Sequence, residues 1–378
     1  MKLLFVEDEP STIEAFQTAL GDWNDDHKDG LEIQSETKKS CGEAVAYLEG
    51  VDSAGLTGMI VDLTLEEGEG IGNVLLQKLD AMHRRIPVVV FTATPAALQF
   101  PYLLAKYKKG EKRYVDIFEL FVAVEQIGLS KILGCDGSIE AMLQHVFNVA
   151  ILPRVESWRS YANSNGFDKA EKALSRSVVE HLHIAMDKDE PFAPDEFYIS
   201  NLECSDYVKP GEVLRRKIGD SPSQYAVVIS PACDLTLHGD PCKPKSDVVQ
   251  VCELEPAEAL LKSVGGCISK SIAKESKKAG DDAETVQKKV ADTVQAFNDK
   301  VFSNQYALYY HYFPAAVDLE GSIMNFRRLK THTHAEISNE YVKTGYIVSP
   351  NFFRDIQARF AAYYGRQGQP ELNIVAKG

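Results

Sequence analysis

No stretch of this 378-residue sequence approaches the roughly 18 consecutive apolar residues that a membrane-spanning helix needs. The opening MKLLFVEDEP has an apolar run of four residues that meets acids at once, far short of a signal-peptide core. Paired cysteines at CxxC spacing are also missing. The seven cysteines (Cys41, Cys135, Cys204, Cys233, Cys242, Cys252 and Cys267) are odd in number, which suits reduced thiols rather than a disulfide framework. A cytoplasmic location is the expectation.

Positive charge is in short supply. Lys and Arg number 41 against 55 Asp and Glu, a net charge of -14, and residues 1–150 hold 13 bases against 24 acids, leaving about -3 for the rest. Sequence-independent binding to a phosphate backbone needs clustered cations, so a nucleic-acid partner is disfavoured. With 44% hydrophobic and 25% charged residues, the composition is that of ordinary globular domains, and the length suits two or three of them.

Residues 1–150 alternate short apolar runs with helical patterns, the signature of a parallel sheet wrapped by helices. Lys2–Val6 reads as a strand and is followed by Glu7, Asp8 and Glu9, then by a helix carrying Ile13, Phe16 and Leu20. Leu31–Ile33 alternates and precedes a helix over Cys41–Leu48. Gly58–Asp62 is a third strand, Ile86–Thr92 a fourth that reads as buried on both faces, and Leu129–Leu133 (LSKIL) a candidate fifth. The fold class is therefore α/β, a doubly wound (βα)5 unit. Residues 151–189 read as a helical connector and residues 190–378 as an α+β domain. In that domain Tyr225–Ser230, Val248–Leu254 and Tyr306–Phe313 are strand-like, and 256–300 is helical with breaks near Gly265–Gly266 and Gly280.

In open α/β sheets, chemistry gathers at the carboxyl ends of the strands. Here those ends offer Glu7, Asp8 and Glu9, then Asp62, then Thr92, with Lys131 in the fifth candidate strand. A single acid after a strand is most often a helix cap or turn residue. Four strand ends carrying acids, a hydroxyl and a lysine in this order point to one pocket.

FVEDE, IVDLTL, VVVFTAT and SKIL resemble, in position and order, the motifs of response-regulator receiver domains, over roughly the first 150 residues. The resemblance implies Asp62 as phospho-acceptor, Glu7 and Asp8 with Asp62 as Mg²⁺ ligands, Thr92 as the switch hydroxyl and Lys131 as the ion-pairing lysine. It also implies a sensor histidine kinase or a phosphotransfer protein as donor, and leaves homodimerisation open. Departures are Glu7 where the family more often has Asp, Glu66 where proline is usual, and no proline after Lys131. Lys131 stands 39 positions after Thr92, more than in a typical receiver, so Pro101–Arg113, basic and without an evident buried face, reads as a mobile insertion.

In the second half, Ser230–Cys242 (SPACDLTLHGDPC) places Cys233, His238 and Cys242 at spacings a soft metal such as zinc could use, with Cys204 or Cys252 as a fourth ligand. A buried strand-end cysteine and a proline-rich turn are the default for such residues. Cys233 as a nucleophile with His238 or His311 as base is a weaker reading still. Tyr306, Tyr309, Tyr310, Tyr312 and Phe313 could stack a base, although strand alternation makes core packing the blander account. The expectation is a response regulator whose C-terminal domain is the output. The rival is a metal-binding or enzymatic C-terminal effector with a non-phosphorylated receiver-like docking module.

Overall fold

The protein is described from a computed structural model, which covers residues 1–28, 30–65, 68–134, 137–186, 191–201, 206–217, 224–239, 242–279, 282–316 and 318–366. The expectations placed on Glu66, Cys204 and Gly280 lie outside the described residues. The chain divides into two compact units at 189/190.

The first unit is built on five parallel strands, β1 (Lys2–Val6), β2 (Gln34–Lys38), β3 (Gly58–Val61), β4 (Val88–Thr92) and β5 (Ala105–Lys108), in the order β2-β1-β3-β4-β5. This is a doubly wound order, in which the reversal point beside β1 and β3 is where sites form. Helices α1 (Pro10–Asp26), α2 (Cys41–Glu49), α3 (Ile71–Ala81) and α4 (Tyr114–Gln126) supply the covering layers. The central strands read as apolar runs because both faces are buried. Leu4, Val6, Met59, Val61, Val88 and Val90 meet α2 and α3, whereas Leu3, Phe5, Ile60, Val89 and Phe91 meet Phe16, Leu20, Trp23, Phe118 and Phe121 of α1 and α4.

Three elements differ from the sequence reading. Strand β2 is Gln34–Lys38 rather than Leu31–Ile33; it pairs along β1 at a sheet edge, where a polar QSETK costs little. The fifth strand is not Leu129–Leu133, which forms a one-turn helix, α5, after Gly128 in the left-handed region (φ 77°). It is Ala105–Lys108, inside the segment read as an insertion, and it pairs with β4 from Val89↔Ala105 to Thr92↔Lys108. Finally, no helix joins β4 to β5. Residues 93–104 hold only a 3-10 turn at Pro95–Ala97, and Leu98, Phe100 and Leu103 pack on the core from coil.

After α5 come α6 (Ser138–Val146), α7 (Val155–Asn165) and α8 (Phe167–Met186), which belong to the first unit. Helix α8 packs on α6, so 151–186 is more than a bare connector.

The second unit contains β6 (Tyr198–Ser200), β7 (Glu212–Arg216), β8 (Tyr225–Val228), β9 (Val248–Pro256), β10 (Tyr310–Phe313), β11 (Ser322–Thr333) and β12 (Tyr341–Val348). They form an antiparallel sheet in the order β10-β11-β9-β8-β7-β12-β6. A helical pair, α9 (Ala257–Ala279) and α10 (Ala283–Phe302), follows β9, a short α11 (His334–Glu340) precedes β12, and α12 (Pro350–Gly365) follows it. Gly265 and Gly266 lie within α9 without breaking it. A core of Val213, Val227, Cys252, Leu254, Phe313, Met324 and Phe326 fills one sheet face against Phe353 and Ile356 of α12.

Candidate functional site

Each pocket residue of the first unit lies at a strand end, and backbone bonds to the adjacent strand fix its place. The Glu7 N–H donates to Lys38 O at 3.0 Å, the Asp62 N–H to Val6 O at 3.0 Å and the Lys109 N–H to Thr92 O at 2.9 Å. The sheet ladder thus runs one step past the strands and presents Glu7, Asp62 and Lys109 along one edge. Gly72 lets α3 seat there, because a Cβ on it would lie 2.4 Å from the Asp62 carbonyl oxygen and 2.7 Å from the Leu63 Cα.

Lys109 Nζ lies 2.6 Å from Asp62 Oδ2 and 2.7 Å from Glu7 Oε2, so one ammonium bridges two carboxylates. Glu7 is 1% exposed, Asp62 4% and Thr92 0%, whereas Asp8 is half-buried. Asp62 Oδ1 accepts from the Thr64 N–H at 3.1 Å, and Glu7 Oε1 from the Glu9 N–H at 3.2 Å. Thr92 Oγ1 accepts from the Thr94 N–H at 3.4 Å, and the Thr64 and Thr94 hydroxyls are 3.4 Å apart at the rim.

Burial pushes the Glu7 carboxyl above its ordinary range even though Lys109 pulls it down. For Lys109 burial alone would lower the ammonium, but bonds to Asp62 and Glu7 outweigh it and hold the group above the usual lysine value. Tyr114, at the start of α4, is raised by burial and then by the negative charge of Glu7 and Asp62. Its ring packs on Phe5, Phe16 and Phe91, which closes the aromatic side of the pocket.

Glu7, Asp62 and Thr92 are therefore at the strand ends where the sequence reading put them. Lys131 is not. It lies exposed on α5, and the lysine at the pocket is Lys109. A signal for it was present: Ala105–Lys108 alternates, and the Lys109–Gly110 step leaves the strand through a left-handed glycine (φ 88°).

A divalent cation would have to use oxygen ligands here, the donor type that Mg²⁺ takes. Glu7 and Asp62 contact one nitrogen, so the two carboxylates are close enough to share one cation. Asp8 does not yet join them: among the described residues no three His, Cys, Asp or Glu side chains form a group that could hold a metal.

The same statement covers the second unit. Cys233 is exposed on the single turn Ala232–Leu235, with Sγ 3.6 Å from Asp234 Oδ1. His238 pairs with Lys243 in a two-residue ladder, and Cys242 is exposed beside it. Cys252, named as a fourth ligand, is in the core instead, with Sγ 3.1 Å from Asn325 O, and burial pushes its thiol up to about 12. His311 is 2% exposed, with its ring nitrogens 3.0 Å from Tyr312 O and 3.2 Å from Asp355 Oδ2, a packing role away from Cys233's exposed turn.

Among solved structures, the first third of the chain is similar to response-regulator receiver domains. A receiver protein from Pseudoalteromonas atlantica is 16% identical over 33% of this chain and 99% of its own, with a TM-score of 0.26. A phosphorylated cyanobacterial phytochrome response regulator is 21% identical over 35% and 97%, with a TM-score of 0.26. A sensor protein from Polaromonas sp. JS666 is 22% identical over 33% and 96%, also at 0.26. No protein-family model and no curated protein matches the chain.

Proposed function

We propose that the first unit is a phosphoryl-accepting receiver and that residues 190–378 are the output it controls. The observation that carries this reading is the carboxylate of Asp62, buried at the carboxyl edge of a doubly wound sheet and held by one ammonium that it shares with Glu7. In the transfer, an Asp62 oxygen attacks the phosphorus of a phosphohistidine on a sensor kinase or phosphotransfer protein. A P–O bond forms, the P–N bond breaks, and the imidazole leaves with a proton. Lys109 is placed to pass from the carboxylate to a phosphoryl oxygen, and the buried Thr92 hydroxyl to donate to another. Mg²⁺ held by Glu7, Asp8 and Asp62 would offset charge on the incoming group.

The test uses the full chain with acetyl phosphate. Wild type with Mg²⁺ should gain one phosphoryl group by intact mass, in a base-labile bond, and Asp62→Asn should gain none while keeping its far-UV spectrum. EDTA should suppress labelling. Labelling of Asp62→Asn would overturn the assignment of the acceptor. A wild type that stays unlabelled by acetyl phosphate and by histidine kinases would instead make the unit a docking module without phosphoryl chemistry.

A further inference from the structure

The aromatic run before and within β10 is divided by strand alternation. His311 and Phe313 are 2% and 0% exposed and fill the core, whereas Tyr306 is 38% and Leu308 70% exposed, and Tyr309 and Tyr310 are half-buried at the sheet edge. The tyrosines continue one another. Tyr306 and Tyr310 are parallel within 8° at 5.9 Å between centroids, Tyr310 meets Tyr309 at 4.5 Å, and Tyr309 meets Tyr363 of α12 at 6.1 Å. Tyr364, 51% exposed, extends the surface.

Two exposed arginines lie over tyrosine rings of this surface. Arg327 is 3.7 Å from the Tyr309 ring centroid and its Nε–H donates to the Tyr363 hydroxyl at 3.2 Å, while Arg366 is 4.3 Å from the Tyr363 centroid. Neighbouring cations are neutralised: Arg328 pairs with Glu255, Lys330 with Glu253 and Arg359 with Asp355. Among the described residues, Arg327 and Arg366 pair with no carboxylate. In a chain with 14 more acids than bases, two guanidinium groups with no carboxylate partner among the described residues, and held against tyrosine rings, are placed for an anion that comes with a flat ring.

We propose that this edge of the second unit binds a nucleotide, the base stacking on the exposed Tyr306 beside Tyr310 and the phosphates taken by Arg327 and Arg366. Two arginines suit the phosphates of a single nucleotide. A polynucleotide backbone would need a longer line of cations, which the net acidity of the chain opposes.

Calorimetric titration of the full chain with ATP, GTP, CTP and UTP tests the proposal, with adenosine and inorganic pyrophosphate as separate arms. At least one nucleotide should bind saturably, and both partial ligands should bind at least about tenfold more weakly, because stacking and phosphate contacts act together. Arg327→Gln and, independently, Tyr306→Leu should each weaken that affinity about tenfold or more, whereas Arg328→Gln, whose partner is Glu255, should leave it unchanged. Thermal unfolding of each variant verifies its fold. Absence of saturable binding by every nucleotide, or undiminished binding in both Arg327→Gln and Tyr306→Leu, overturns the proposal. Binding of a thymidine hexanucleotide without binding of any mononucleotide overturns it in favour of a single strand.

Discussion

Lys109 Nζ touches both Glu7 and Asp62, so removing it leaves two buried carboxylates facing each other. Lys109→Ala should therefore destabilise the protein by about 2–3 kcal/mol, below the usual cost of breaking a fully buried pair because the lysine side chain is 25% exposed. Lys131→Ala, on an exposed position, should change urea stability by less than about 0.5 kcal/mol. Equal effects would remove Lys109 from the pocket. The titration of Glu7 has a definite sign. Its folded-state pKa is raised, so the folded chain keeps a proton that the unfolded chain has already lost, and stability falls as pH rises from the ordinary Glu value to the raised one. Lys109, also raised, contributes in full below the ordinary Lys pKa, and that contribution is lost as pH climbs through its elevated value. Urea midpoints of wild type and Glu7→Gln between about pH 4 and about pH 7 should thus diverge in favour of the variant as pH rises. A constant difference would mean that Glu7 is not held above its ordinary pKa. Glu7, Asp62 and Thr92 were legible because each ends an apolar run; Lys109 was not, because its strand is a half-polar edge.

Among the elements, the buried strands were the readable ones. Gly58–Val61 and Val88–Thr92 are apolar on both faces and stand out from any turn. The edge strands β2 and β5 bury one face at most, and QSETK and AKYK carry little hydrophobic signal. LSKIL has the apolar content of a strand, yet its Leu129 and Leu133 are four apart and the turn after α4 continues as helix. Gly265–Gly266 failed to end α9 because glycine lowers helix stability without forbidding the conformation. Glycine at two helix positions gives opposite expectations. Gly72→Ala would press a Cβ into the Asp62 carbonyl, so it should cost about 1–3 kcal/mol and slow labelling of Asp62. Gly21→Ala, at an exposed position of α1 with nothing within 4 Å of the new Cβ, should raise stability by up to about 1 kcal/mol. Thermal melts of the two variants check both signs, and a neutral Gly72→Ala would show that α3 does not seat against the end of β3.

For the molecule as a whole, the question is whether the pocket depends on the second unit. Every strand pairing of the parallel sheet is internal to residues 2–108, and both core clusters that flank it lie within residues 1–122. Glu7, Asp62, Thr92 and Lys109 are positioned by backbone bonds between those same strands. The helices to Met186 belong to the same compact unit, and a fragment of about this size can bury a core of its own. A chain ending at residue 189 should therefore fold cooperatively and take up one phosphoryl group from acetyl phosphate, to an equilibrium extent that differs from that of the full chain. The comparison isolates the coupling. Allosteric linkage is reciprocal, so an output domain that responds to phosphorylation must also bias the equilibrium between the states of the pocket. If the ratio of labelled to unlabelled chain at equilibrium differs between the fragment and the full chain while both are folded, the quotient of the two ratios measures that bias, with a tenfold quotient equal to about 1.4 kcal/mol of coupling. Equal fractions in fragment and full chain would mean that residues 190–378 do not sense the state of Asp62, and the proposed control of the output would fail while phosphorylation itself stood.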